Sequence, residues 1–402
     1  MAVVAGREIP VKYSPAPPGF IYLNNAATSW PKPAEVLDAV AESLRSPYAG
    51  EGRTSVEGPI QYPDAAREAL GRFLHFDPPE HVVFTQNATD SLNILIHGYV
   101  RAVGGKPHVI TTTLEHNSVL RPLHTLARDG AIDLTIVPFR NHRVDPAELK
   151  TAIRPETRMV VMTHGSNVLG SVQDIAAIGR YLEENDIFFV VDGAQTAGHV
   201  PVDLSRTPVD AYVFTGHKGL FGLPGIGGFT ICSPDRVVPV RQGGTGTESR
   251  SLVHPGEMPE RFEAGTPNYP GMASLIAGVR FLESTGLENV ERKGKELTGQ
   301  IIRSLRKEPN ITLYNETPDL PIVAFNIEGL DCDTVGYILG RGYHLIVRTG
   351  LHCAPLVHQA IDGGRGCVRL SLSWFTTREE CETAADAICG VARSADSQVR
   401  PA

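Results

Sequence analysis

From about residue 82 the chain alternates short apolar runs with amphipathic stretches. The runs VVFT, HVITTT, DLTIVPF, MVVMT, IFFVVD and AYVFT read as strands, and TDSLNILIHGYV, SVLRPLHTLARDG and DIAAIGRYLEEND as the helices between them. Strands alternating with helices of this length imply βαβ units and a mainly parallel sheet between helical layers. Such crossovers bring the strand C-termini and the loops after them to one edge, where α/β proteins usually bind ligands. Upstream, Val36, Leu37, Val40 and Leu44 recur at helical spacing in PAEVLDAVAESL, and PDAAREALGRFL carries Pro63 near its start. Near residue 265 the rhythm changes. Helices in MASLIAGVRFL and ENVERKGKELTGQIIRSL lead to strands IVAFNI, HLIVRT and CVRLSLSW and a closing helix TREECETAADAICGVAR. The pattern predicts an α/β fold with a large domain over residues 21–265 and a smaller α+β domain over 266–402. Residues 1–20 form an N-terminal segment, extended where PVKYSPAPPG is rich in proline, that packs with the smaller domain.

Composition narrows the function. A chain of 402 residues, 42% hydrophobic, can bury a large core, and its net charge of -8 argues against nucleic acid or an anionic membrane as partner. No apolar run approaches the ~20 residues of a spanning helix, and the amino terminus lacks the basic and apolar regions of a signal peptide. Six cysteines with no CxxC pair suggest reduced thiols in the cytoplasm.

Chemistry-bearing residues fall after the strands. Asp192 ends the apolar run FFVVD, where a carboxylate is costly to desolvate without a cation. Lys218 follows the next strand after the turn-forming Gly216, where a partly desolvated amine can have a lowered pKa and attack an aldehyde. A plain Asp–Lys salt bridge satisfies the same two residues. Thr215 and His217 bracket the turn with donors suited to a phosphate. The helix beginning near Thr89 offers a second anion site at its N-terminus, unless Asn87 or Thr89 simply caps it. His116, just after HVITTT, suits stacking on a flat ring or moving protons, or a structural role. An anion site, a stacking ring, a carboxylate and an amine together fit pyridoxal 5'-phosphate (PLP).

The segments LNNAATSWPKP, LEHNSV, THGSNVLG, VDGAQTAGH, TGHKG, FEAGTPN and RTGLHCAP, in this order, resemble the class V aminotransferase family of fold-type I PLP enzymes. Within it they resemble the SufS-like, type II cysteine desulfurases and selenocysteine lyases. The resemblance runs from IYLNNAAT to the final helix. It implies that Lys218 carries PLP covalently, Asp192 meets the pyridine nitrogen and His116 stacks on the ring. It implies further that Gln195 and Asn167 contact the phenolic oxygen, and that Ala88, Thr89, Thr215 and His217 hold the phosphate. Thr266 would reach the phosphate of a neighbouring subunit, which implies a homodimer with shared sites. Arg369 would clamp the substrate carboxylate in a forked ion pair, helped by Asn167, with Arg348 a further substrate contact.

Cys353, in RTGLHCAP, would take sulfur from L-cysteine as a persulfide, leaving alanine, and pass it to an acceptor protein as in iron–sulfur cluster assembly. His352 beside it is expected to favour the thiolate. Cys232, Cys332, Cys367, Cys381 and Cys389 read as small buried hydrophobes. His352, Cys353 and His358 fall short of a complete zinc ligand set, so no metal is expected. Leu351 stands where the type II branch commonly has a first histidine, and QGGTGTESR also departs from its pattern. Selenocysteine lyase, another PLP C–S lyase, a kynureninase-like enzyme or an epimerase would use the same pocket. A silent PLP-binding protein would keep the pocket without using the acid, arginine and thiol. A nicotinamide oxidoreductase fits poorly, because the glycines of LPGIGG lead into the strand GGFTIC and not into a helix.

Overall fold

The computed structural model describes residues 2–4, 7–9, 19–45 and 61–399, so most of the proline-rich lead-in lies outside the described residues. A seven-stranded sheet runs in the order Val82–Thr85, Gly227–Ile231, Ala211–Thr215, Phe188–Asp192, Thr157–Thr163, His108–Thr112, Asp133–Val137. All neighbours are parallel except Gly227–Ile231, which is antiparallel to both strands beside it. The strand FFVVD is buried along its whole length because both sheet faces are covered. Phe188 and Val190 pack with Leu92, Leu95, Val119 and Leu123 on one face. Phe189 and Val191 pack with Leu70, Leu74, Ile178 and Leu275 on the other. A two-residue side-chain period thus builds a three-layer core.

Local sequence explains the helix ends. Pro63 sits in the first turn of Tyr62–Leu74, where its missing N–H is no loss. Asn87 caps Ala88–Val103 by accepting from the Asp90 N–H, a cap worth about 1 kcal/mol. In Ala34–Arg45 Val36 is buried but Leu44 is exposed, so the expected apolar stripe fades at the helix end.

A second sheet runs in the order Ile311–Leu313, Ile322–Ile327, Cys367–Ser371, Arg348–Gly350, antiparallel throughout. Helix Leu287–Leu305 covers it with Leu297, Ile301, Ile302 and Leu305, three and four residues apart on one face. The expected strand HLIVRT is divided. Leu345–Ile346 pairs in parallel with Ile21–Tyr22, while Arg348–Gly350 joins the second sheet. The start of the chain therefore lies against its last third, and Leu23 belongs to the smaller core.

Helix Tyr269–Thr285 sends Met272, Leu275, Val279 and Leu282 into the core of the large sheet. We propose on that packing that the two domains divide at Gly286 and not at 265–266. Gly278 of this helix lies against the chain just beyond Lys218, where an added Cβ would sit 2.0 Å from the Leu220 carbonyl oxygen. Gly278→Ala should therefore destabilise the protein by about 1–3 kcal/mol through overpacking. The thermal midpoint should fall, and an unchanged midpoint would contradict this packing.

Candidate active site

The loops after the strands of the large sheet, with the Arg348–Cys353 loop and strand Cys367–Ser371, enclose a cavity of about 310 Å³. Lys218, Asp192, His116, Cys353, Arg369, Arg348, Asn167, Gln195, Ala88, Thr89, Thr215 and His217 all line it. Residues from Ala88 to Arg369 thus meet in one chamber. Thr266 does not line it. It lies in an adjoining cleft with Asn87, Arg241 and Asn268.

Asp192 is 4% exposed, and burial raises its pKa despite an Ala194 N–H at 2.9 Å and the nearby Lys218. Burial lowers the Lys218 amine to about 8, with Asp192 opposing the shift and Arg369 and Arg348 adding to it. Asp192 and Lys218 do not form a direct ion pair among the described residues, so the plain salt bridge is not what the chain builds. The His116 ring is neutral, because burial first and then Lys218 push it down to about 4. Its Nδ1 accepts from the Ser118 N–H at 3.0 Å, which places the ring proton on Nε2.

At the opposite wall Asn87 occupies the Asp90 and Ser91 N–H groups. As the first residues of their helix, Ala88 and Thr89 have no carbonyl within it to bond their own N–H groups. Thr215 Oγ1 is buried without a partner among the described residues. Burial lowers His217 to about 4. Free helix N–H groups and an orphaned hydroxyl are what an anion would satisfy.

Arg369 is 1% exposed and lies directly across from Arg348 in the strand register. Its Nη1 donates to the Asn167 carbonyl at 2.8 Å and its Nη2 to Asn24 Oδ1 at 3.3 Å, while its Nε has no partner among the described residues. Among the described residues no carboxylate pairs with either arginine. Burial, then Arg348, lowers Arg369 to about 9. Two like charges facing each other are unfavourable and call for an anion between them.

Cys353 is partly exposed, with its Sγ 3.9 Å from Arg348 Nη2. Its carbonyl accepts from the Asn117 N–H at 2.7 Å, which ties this loop to the His116 helix. His352 was expected to favour the thiolate, and here the structure differs. Left-handed backbone at both residues (φ 50° and 57°) turns the His352 ring away, into contact with His358 and the Arg348 carbonyl. The cation beside Cys353 is Arg348. Cys232 also departs from expectation, since it is exposed while Cys332, Cys367, Cys381 and Cys389 are buried.

Several residues in and behind the cavity wall carry no assigned role in the sequence. Asn25 and Ala26 bond Ser371, and the Ala26 carbonyl accepts from Gln195 Nε2 at 3.0 Å. The NNAAT segment therefore braces the cavity from behind. Glu115, fully buried next to His116, is pushed up to about 8 by burial, although Thr112 and Thr163 donate to its Oε1. Only its flanking motif LEHNSV hinted at it.

The family described as aminotransferase class-V matches residues 21–383 of the chain. A probable cysteine desulfurase of Methanothermobacter thermautotrophicus is 31% identical over 377 residues, covering 90% of this chain and 92% of that protein. A cysteine desulfurase of Cronobacter sakazakii is 32% identical over 375 residues, covering 90% of each. Among solved structures, the apo cysteine desulfurase of Thermococcus onnurineus superposes with a TM-score of 0.87 at 30% identity, covering 93% of this chain and 95% of that one.

Proposed function

The chain belongs to the class-V aminotransferase family, and from that premise we propose that it is a PLP-dependent cysteine desulfurase. The observation that carries the reading is one cavity holding a lysine amine, a buried carboxylate, two facing arginines without an acid partner among the described residues, and a thiol. The residues fit the cofactor. Among the described residues Asp192 has no direct ion-pair partner and Thr215 Oγ1 no hydrogen-bond partner, and the first N–H groups of the 88–103 helix point to an anion. Lys218 would bind PLP covalently, Asp192 would hold its pyridine nitrogen, and His116, Gln195 and Asn167 would flank the ring. Ala88, Thr89, Thr215 and His217 would hold the phosphate. When bound, PLP supplies an electron sink that acidifies the substrate Cα–H.

The chain's own groups do the rest. Arg369, with Arg348 opposite and Asn167 beside it, takes the carboxylate of L-cysteine and fixes its orientation. Lys218, its amine near neutrality, removes the Cα proton and returns a proton to carbon. Asp192 stays ionised against the cation it was built for. Cys353 Sγ attacks the substrate sulfur, the Cβ–S bond breaks with its electron pair left on carbon, and the sulfur remains on Cys353 as a persulfide. Protonation at carbon then yields alanine. Loop positioning of Cys353 supplies much of the advantage.

Thr266, outside its own chain's cavity, supports a homodimer in which it serves the partner's phosphate site. Leu252 and Val253, fully or largely exposed in the preceding segment, suit burial in such an interface. Six free cysteines fit a reducing compartment such as the cytoplasm. Among the described residues no helix is long and apolar enough to cross a membrane.

The test is a single-turnover assay with L-cysteine, scoring alanine and persulfide on the Cys353 peptide. Alanine without persulfide would overturn the desulfurase reading. A parallel arm with selenocysteine distinguishes a lyase preferring selenium. Arg369→Lys keeps the charge but loses the fork, and should raise KM for cysteine about 10- to 100-fold while leaving cofactor binding intact. An unchanged KM would remove Arg369 from carboxylate recognition.

A further inference from the structure

Directly beneath the Cys353 loop, His352, His358 and Cys367 bring three ligand-type atoms within 4.8 Å of one another, all buried. They come from three elements: the loop after strand Arg348–Gly350, helix Pro355–Ile361, and strand Cys367–Ser371. We infer that these three side chains form a site for a divalent transition-metal ion, of which Zn²⁺ is the best match. The inference does not depend on the reaction performed in the cavity above.

The geometry of the two rings and the thiol carries the argument. His358 Nδ1 lies 2.6 Å from Asp362 Oδ2, and its Nε2 lies 3.2 Å from His352 Nδ1. The other His352 nitrogen, Nε2, faces the Arg348 carbonyl at 3.4 Å. Both ends of this chain are oxygen acceptors, so both outer nitrogens carry a hydrogen. The two inner nitrogens then face each other at 3.2 Å, a spacing held either by a shared proton, with His358 charged against Asp362, or by a metal ion. The third ligand-type atom, on Cys367 beside them, favours the metal ion. Zn–N bonds of 2.0–2.1 Å in a tetrahedral site place two nitrogens about 3.3 Å apart, close to the spacing present.

The surroundings agree. Metal-bound histidines usually donate their second N–H to a carboxylate or a backbone carbonyl, and Asp362 and the Arg348 carbonyl are one of each. Asp362 and His358 are both completely buried. Cys367 supplies a soft ligand, and a bound divalent ion deprotonates a coordinating thiol. The charges close: two positive on the ion, one negative on Cys367 and one on Asp362. Cys353, the other thiol nearby, is turned to Arg348 instead. Such an ion would clamp the left-handed turn at His352 and Cys353 to the strand that carries Arg369.

The test uses full-length, PLP-loaded Cys353→Ser protein, so that the cavity thiol cannot contribute. After dialysis against a chelator it should take up one Zn²⁺ per chain, with a raised thermal midpoint. Co²⁺ in its place should give a thiolate-to-metal charge-transfer band. Adding Cys367→Ser should abolish that band, and Asp362→Asn, which leaves all three ligands in place, should weaken Zn²⁺ binding about 10- to 100-fold. Absence of stoichiometric uptake would mean a hydrogen-bonded histidine pair only and would overturn the inference. So would a Co²⁺ band that survives Cys367→Ser. If Cys367→Ser fails to fold, the Asp362→Asn affinity decides, and unchanged affinity there overturns the site.

Discussion

Lys218→Ala protein is expected to purify colourless, with no cofactor trapped by borohydride on the TGHKG peptide and turnover of cysteine reduced by about 10⁴-fold or more. The size follows from the two roles proposed for one amine, covalent attachment and proton transfer at Cα. The wild-type amine is held at about 8 by burial, against the pull of Asp192. Attack on an aldehyde needs the free base. The rate at which cofactor-free protein takes up PLP should therefore rise about tenfold per pH unit below that value and level off above it. A wild-type rate flat between pH 6 and 9 would remove the lowered amine from the account. A borohydride label on any other lysine would remove Lys218 itself.

Cys353→Ser should show the converse pattern. Its colour and its spectral response to cysteine should match the wild type, because no cofactor contact is lost. Persulfide should be undetectable and alanine formation about 10²- to 10³-fold slower, since a serine hydroxyl is a far weaker nucleophile toward sulfur. Mass spectrometry of the RTGLHCAP peptide after one turnover reads the result directly. Persulfide in wild-type yield from the serine variant would assign the sulfur to another thiol, and exposed Cys232 would be the first to examine.

Much of the cavity was legible because strand ends announce themselves. Buried runs such as FFVVD and AYVFT are apolar until their last residue, and the polar residue that stops each run, Asp192 or Thr215, is delivered to the ligand edge by the sheet itself. Features set by pairing across long separations were not legible. The antiparallel direction of Gly227–Ile231 depends on its neighbours and not on its own residues. The facing of Arg348 and Arg369 is a matter of register between two strands. The orientation of His352 depends on left-handed backbone at two non-glycine residues, which local preference disfavours. The role of NNAAT as a brace depends on contacts with Ser371 at the far end of the chain.

That last contact bears on biosynthesis. Ile21–Tyr22 needs Leu345–Ile346 as its neighbour, and Asn25 and Ala26 need Ser371. A nascent polypeptide can assemble the large sheet early, since its strands all come from the first 231 residues. It cannot close the chamber until the stretch bearing Arg369 has left the ribosome. Loading of the proposed cofactor would therefore belong to the nearly finished molecule, and polypeptides truncated ahead of Cys367 should emerge unable to retain it.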